Sequence, residues 1–194
     1  MLWIDGVGAW LLFCGNPVVI GGPAQSAEAA DLCLMGPVSR RHASLLQKDE
    51  AWFIRPHQTT SVGGKPTTGE TGLHSGDVIQ LGDKVRLKFR IPSVLSASAV
   101  LDLPSFHQPS QSVNGVLLMT DTILLGPRSD HHICCPAWPG LIVVFRREGR
   151  LWCRSDIPFH LNDQPLLQHT ELSDGAVIST DDFRFRLQRL HNSG

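Results

Sequence analysis

Tyrosine is absent from the 194 residues, and only four of the 17 basic residues are lysines. Acidic groups number 18, so the formal net charge is −1. A chain this close to neutrality has no overall field for nucleic acid or another polyanion, so nucleic acid is not an expected partner. Long apolar runs are also missing. The longest, such as Ala9 to Cys14, are too short to cross a bilayer. No basic residue precedes Arg40, so the charged region of a secretory signal is lacking. The five cysteines, Cys14, Cys33, Cys134, Cys135 and Cys153, are odd in number and unevenly spaced, which does not read as a disulfide framework. The expectation is a reducing, cytoplasmic setting with no membrane partner.

What is present in quantity is turn chemistry, with 18 Gly and 13 Pro, beside an apolar share of 42% that suffices for a core. The sequence also repeats itself. Ile4-Asp5-Gly6-Val7 resembles Val113-Asn114-Gly115-Val116, and Val19-Ile20-Gly21-Gly22-Pro23 resembles Leu124-Leu125-Gly126-Pro127. From Val38 onward a constant offset of 99 pairs Leu73, Gly76, Val78 and Ile79 with Leu172, Gly175, Val177 and Ile178. Two related units are expected, at 1–92 and 112–194, joined by a Ser/Pro-rich linker at 93–111. Val94, Leu95, Val100, Leu101, Leu103 and Phe106 make that linker too apolar for a fully solvated tether, so part of it is expected to pack on a domain.

Strict apolar/polar alternation over Val85–Ile91 and Phe183–Leu187 predicts half-buried strands. Gly63-Gly64 and Asn162-Asp163 read as two-residue hairpin turns, and Ser75-Gly76-Asp77 and Ser173-Asp174-Gly175 as turn clusters. Only Gln25–Ala30 looks helical. The fold class expected is all-β, with two β-sandwich domains in tandem.

The stretch Val38-Ser39-Arg40-Arg41-His42-Ala43 follows Ile20-Gly21-Gly22, and Leu73-His74-Ser75-Gly76-Asp77-Val78-Ile79-Gln80-Leu81-Gly82 comes later. This order resembles the forkhead-associated (FHA) domain, with its I-G-R, S-R-x-H-A and L-x-x-G-D-x-I-x-L-G blocks, over most of residues 4–91. The resemblance implies an eleven-stranded sandwich whose end loops bind phosphothreonine peptides. A phosphothreonine presents three acceptor oxygens and nearly two charges, and it is held by donors converging from rigid loops. Carried over, Ser39 bonds a phosphate oxygen and Arg40 supplies charge beside it. His42 braces the loop from within, next to Gly21, while Gly76 and Asp77 shape a turn. The partner implied is a phosphothreonine-containing protein, such as a Ser/Thr kinase or its substrate, in bacterial signalling. No cofactor is implied.

The departures are specific. The arginine after I-G is Gly22, the loop between Arg55 and Val62 is short, and Gly63 stands where the family has asparagine before glycine. Arg41, Lys65, Thr60 and Ser61 are the nearby groups that can compensate. In the second unit Trp138-Pro139-Gly140-Leu141 replaces the serine–arginine motif, leaving no phosphate donors there. The alternative is a phosphate-independent scaffold or dimerisation protein. Trp138 is either a core residue or an exposed anchor for an interdomain or homodimer contact.

Other constellations take plainer readings. His131-His132-Ile133-Cys134-Cys135 has metal-ligand chemistry, but the repeat puts Ile133 and Cys135 at the core positions of Leu32 and Leu34. No metal is therefore expected. Ser39 and His42 have no acid placed to orient the histidine, so no enzyme is expected. The cluster Arg146-Arg147-Glu148-Gly149-Arg150 reads as a hairpin tip.

Overall fold

The computed structural model describes residues 1–24, 29–166 and 168–190. Most of the expected helix at Gln25–Ala30 lies outside the described residues. Among those described every regular element is a strand. The first half runs β1 (Leu2–Ile4), β2 (Gly8–Phe13), β3 (Val18–Gly21), β4 (Leu32–Cys33), β5 (Ala43–Lys48), β6 (Ala51–Pro56), β7 (Thr60–Val62), β8 (Lys65–Thr67), β9 (Thr71–Leu73), β10 (Val78–Leu81), β11 (Val85–Arg90) and β12 (Ala99–Asp102). The second half runs β13 (Gly115–Leu118), β14 (Thr122–Gly126), β15 (Ile133–Cys134), β16 (Ile142–Arg147), β17 (Arg150–Ser155), β18 (Phe159–Leu161), β19 (Gln164–Leu166), β20 (His169–Glu171), β21 (Val177–Ser179) and β22 (Arg184–Leu187).

Local sequence accounts for most of these strands. Along β11, Val85, Leu87 and Phe89 are fully buried while Arg86 and Lys88 are exposed, the period-two pattern of a sheet with one wet face. Gly63 and Gly64 connect β7 to β8 with φ of 56° and 78°. That is the double left-handed turn that matches strand twist. At the equivalent turn Asn162 and Asp163 hold φ of 49° and 66°.

Two five-stranded sheets have the same order, β4-β3-β5-β6-β9 and β15-β14-β16-β17-β20. Their individual hydrogen bonds match as well. The Leu34 N–H donates to the Gly21 carbonyl as that of Cys135 does to Gly126, both at 2.8 Å. The Gly76 N–H donates to Phe89 as that of Gly175 does to Leu187, at 2.8 and 2.9 Å. Asp31 accepts from the Val19 N–H at 2.8 Å, and His132 Nδ1 accepts from the Leu124 N–H at 3.1 Å.

Both five-stranded sheets pack on a single 12-stranded sheet of order β19-β18-β21-β22-β1-β2-β13-β12-β11-β10-β7-β8. The N-terminal hairpin β1–β2 extends the sheet of the second unit, where β1 pairs with β22. The hairpin β12–β13 extends the sheet of the first, where β12 pairs with β11. At the centre β2 and β13 run parallel. Both faces of these strands are covered. Ala9, Leu11, Val116 and Leu118 enter the core of the first unit, and Leu2, Ile4, Val100 and Leu117 that of the second. Asn114 starts the pairing from both backbone and side chain: its N–H donates to the Ala9 carbonyl at 2.7 Å and its Oδ1 accepts from the Ala9 N–H at 2.9 Å. Gly8 is required beside it, because a Cβ there would lie 2.0 Å from Asn114 Oδ1.

Part of the segment read as a linker, Ala99–Asp102, is therefore a strand of the sheet. The segment's serines are not solvating groups either. Ser96 and Ser98 are buried, Ser96 donates to the Thr122 carbonyl at 2.6 Å, and Ser98 Oγ accepts from the Thr120 N–H at 3.0 Å. Arg90 on β11 grips Asp102 on β12 through two bonds of 2.7 and 2.9 Å.

His132 is buried in this joint, 2% exposed, and its Nε2 donates to the Ser98 carbonyl at 3.2 Å. Burial pushes its imidazole down to about 4. An unfolded histidine binds a proton below about 6.5 while the folded one does not, so stability is full above pH 6.5 and falls as pH drops toward 4. That group contributes about 3 kcal/mol across the window. Urea unfolding of the wild type at pH 7 and 4.5 should show this loss, with His132→Gln flattening it. An unchanged pH slope in the variant would contradict the burial of this ring in the joint.

Candidate functional site

The strand registers sort the loops of the first unit to two ends. Gly22, residues 35–42, the 57–59 loop and the Gly82 turn lie at one end. The Asp49-Glu50, Gly63-Gly64 and Ser75-Gly76 turns lie at the other. Ser39, Arg40 and Arg41 are exposed at the first end. Among the described residues no carboxylate pairs with either guanidinium.

His42 holds this end together. It is 4% exposed, its Nδ1 accepts from the Ser39 N–H at 3.3 Å, and its Nε2 donates to the Thr59 carbonyl at 2.9 Å. The partners assign that tautomer. The His42 N–H donates to Ile20 at 2.8 Å, and its carbonyl accepts from the N–H groups of His57 and Gln58 at 2.9 and 3.1 Å. One residue thus fixes the serine–arginine loop, the end of β3 and the 57–59 loop relative to each other. His57 is oriented in turn by a 2.8 Å bond between its Nε2 and Ser44 Oγ.

Gly21 and Gly22 let the loop lie directly on the β3 backbone. A Cβ on Gly21 would stand 1.8 Å from the Arg40 carbonyl oxygen, and one on Gly22 would stand 2.7 Å from that of Val38. The Gly22 N–H donates to the Ser39 carbonyl at 2.9 Å. An arginine at 22 would force the loop to move, so its absence is built into the loop path. On the serine–arginine loop itself, Arg40 and Arg41 supply exposed guanidiniums.

Several residues expected at the site lie elsewhere. Thr60 is 2% exposed and its hydroxyl donates to the Gln58 carbonyl at 2.8 Å, so it braces the loop from below. Ser61 is half-buried on β7. Gly63 sits at the opposite end of that strand, about 10 Å from Thr60 at the rise of an extended chain. Lys65 starts β8 beyond it. Gly76, at φ of 102°, and Asp77, whose carboxylate accepts from the His74 N–H at 2.8 Å, form the expected turn, also at that far end. Conversely His57, Gln58 and Thr59, exposed beside the serine–arginine loop, belong to the site and were not singled out from the sequence. Their signal was the tight return of the chain between two strands opposite a buried histidine.

At the corresponding end of the second unit, the Trp138-Pro139-Gly140-Leu141 loop that replaces the serine–arginine motif is apolar. Trp138 is 5% exposed and stacks on Phe183 with ring centroids 4.2 Å apart. It is a core residue and offers no anchor to a homodimer; the units meet through strands instead. Leu141 N–H donates to Asp156 Oδ1 at 3.2 Å. Arg128 is exposed and held by Asp130 through bonds of 2.9 and 2.8 Å. In the histidine–cysteine run, His132 belongs to the joint, Cys134 is exposed and Cys135 is fully buried. Burial pushes the Cys135 and Cys153 thiols up to about 12. Among the described residues no three His, Cys, Asp or Glu side chains gather as a metal site.

Replacing His42 by alanine removes two ring bonds, leaving the Ser39 N–H without a partner and the Thr59 carbonyl with the Gly82 N–H alone, at 2.9 Å. The expected loss is about 1–3 kcal/mol, with faster amide exchange at Ser39 than elsewhere in the sheet. Denaturant melts and exchange NMR test this; unchanged Ser39 exchange would refute the bracing role.

A family model for the FHA domain matches residues 19–82, the stretch that carries the glycine pair, the serine–arginine loop, His42 and the Gly76–Gly82 strand. Among solved structures the chain is similar to the FHA-2 domain of an ABC transporter from Mycobacterium tuberculosis, with 28% identity and a TM-score of 0.33 over 40% of this chain and 69% of that one. It is also similar to the N-terminal FHA domain of EssC, a component of the bacterial type VII secretion apparatus, with 13% identity and a TM-score of 0.28 over 95% of this chain and 89% of that one. No curated protein matches it. Residues 19–82 are accordingly an FHA domain, a member of a family of phosphopeptide-binding protein–protein interaction modules.

Proposed function

We propose that the first unit binds a phosphothreonine-containing protein at the loop end built on His42. The observation that carries this reading is a set of donors with no side-chain partner among the described residues: the Ser39 hydroxyl and the Arg40 and Arg41 guanidiniums, all exposed on a loop fixed from beneath. Preorganised donors lose little on binding, and charge-assisted bonds to phosphate are the strong kind. Arg41 takes the place of the guanidinium that Gly22 excludes. Gln58 and His57 flank the phosphate position and face the peptide backbone.

The second unit is, in this reading, a degenerate FHA copy that has become structural. The matched sheet orders and hydrogen bonds support common descent. The buried Trp138 and the lack of donors in its loop argue against a second phosphate site. The protein works as a non-enzymatic adaptor for a Ser/Thr kinase or its substrate. Its five free cysteines suit a reducing, cytoplasmic setting, and the bacterial setting is what the FHA resemblance implies. The alternative, a phosphate-independent scaffold, draws on one observation: the space at Gly22 is filled by the protein's own loop.

Titration of a phosphothreonine peptide library decides between them. Phosphorylated peptides should bind the wild type, and Ser39→Ala or Arg40→Ala should each weaken binding about tenfold, or about 1.4 kcal/mol. Both changes are at exposed positions and should leave the melting transition in place. Equal weak binding of phosphorylated and unphosphorylated peptides by all three proteins would favour the scaffold.

A further inference from the structure

The chain between the two units crosses the same end of the sandwich as the serine–arginine loop. Having left β12, it is fastened to that end at three successive points. Ser105 Oγ accepts from the Arg86 N–H at 3.4 Å and donates to the Arg86 carbonyl at 3.3 Å. The Met35 N–H donates to the Gln108 carbonyl at 2.9 Å, and Leu34 bridges to Pro109. His107 lies so close to Gly36 that a Cβ there would be 2.7 Å from its ring.

Fastening on both sides leaves one side chain outside. Phe106 is fully exposed, at 103%, and Met35 beside the fastening is 55% exposed. A lone exposed apolar residue means little. Here two large ones stand on the same pinned crossing, since the Met35 N–H bonds the carbonyl of Gln108, two residues from Phe106, and the neighbouring cationic loop has no ion-pair partner among the described residues. Gly36 is three residues from Ser39, so at most about 10 Å of chain separates the Phe106 segment from the phosphate loop. A partner strand of four or five residues spans both.

We propose that Phe106 and Met35 form an apolar wall of the phosphopeptide site, selecting partners with a large apolar side chain a few residues from the phosphothreonine. The occupant is one segment carrying both chemistries: the phosphate is drawn to Arg40 and Arg41, and the apolar side chain covers Phe106. This rests on the phosphothreonine reading above. Met35 lies within the 19–82 stretch of the FHA domain match, but Phe106 comes from the inter-unit segment outside it, so the complete wall is a property of this chain and not of that stretch alone. An exposed aromatic anchor of this kind loses little conformational entropy when covered.

The test uses the full chain and pairs of phosphothreonine peptides that differ only in carrying leucine or glycine at each flanking position. The wild type should bind the best leucine peptide about fivefold more tightly than its glycine partner. Phe106→Ala should erase that preference, Phe106→Leu should retain part of it, and neither should alter the melt of a residue already in solvent. A wild type indifferent to the flanking residue, or a preference that survives Phe106→Ala, overturns the wall while leaving phosphate recognition standing. Concentration-dependent self-association abolished by Phe106→Ala, with no peptide preference, overturns it in favour of a second copy as occupant. Failure of every peptide to show phosphate-dependent binding overturns the underlying reading and the wall together.

Discussion

Where β2 runs parallel to β13, the sheet has no wet face. Val116 and Leu118 point into one core and Leu117 into the other, and Ala9 and Leu11 face the first beside them. Hairpins cross between units at this point, so each unit's last strand is closed by the hairpin that sequence order would give to its neighbour. The parallel pairing also has a directional consequence. β11 and β22 run the same way along the sheet, so the loop ends of both sandwiches face the same side of the molecule. The exposed serine–arginine loop and the apolar Trp138 loop are two ends of one surface and not of two free modules.

On that frame the recognition end depends on a single buried ring. The two imidazole nitrogens of His42 satisfy a donor and an acceptor from different loops, and its backbone satisfies three more partners. The glycine pair beneath brings the loop onto the β3 backbone, a closeness that any side chain would prevent. Rigidity comes from these buried, paired groups and from the Ser39 backbone, while the side chains of Ser39, Arg40 and Arg41 have no partner among the described residues. Near-neutral charge then constrains the proposed phosphate binding, which has only this local handful of donors to draw on.

Much of this was legible from residue order, and the reasons are physical. Alternation at Val85–Ile91 is a local signal that a half-buried strand must produce, and the offset of 99 reappears in equivalent hydrogen bonds. The bracing role of His42 and the turn at Gly76-Asp77 follow from short-range motifs and stand in the structure as expected. Pairing between distant segments left no such trace. Nothing in Leu2–Ile4 marks it as a partner of Phe185, and Ser96 and Ser98 resemble tether residues until their buried hydroxyls are seen bonding Thr122 and Thr120. Gly63 was misplaced because order along the chain does not say which end of a strand a turn occupies. Trp138, beside Pro139-Gly140, allowed both a core and an exposed reading, and stacking on Phe183 places it in the core.

Central to the account is one phosphate-dependent surface on a two-unit sheet. The most direct measurement is a backbone amide NMR titration of the full chain with a phosphothreonine peptide and its unphosphorylated twin. The account predicts phosphate-dependent shifts concentrated at Ser39–Arg41 and His57–Thr59, with the loop around Trp138 unmoved. Shifts that are the same for both peptides, or that gather at the second unit, would contradict it.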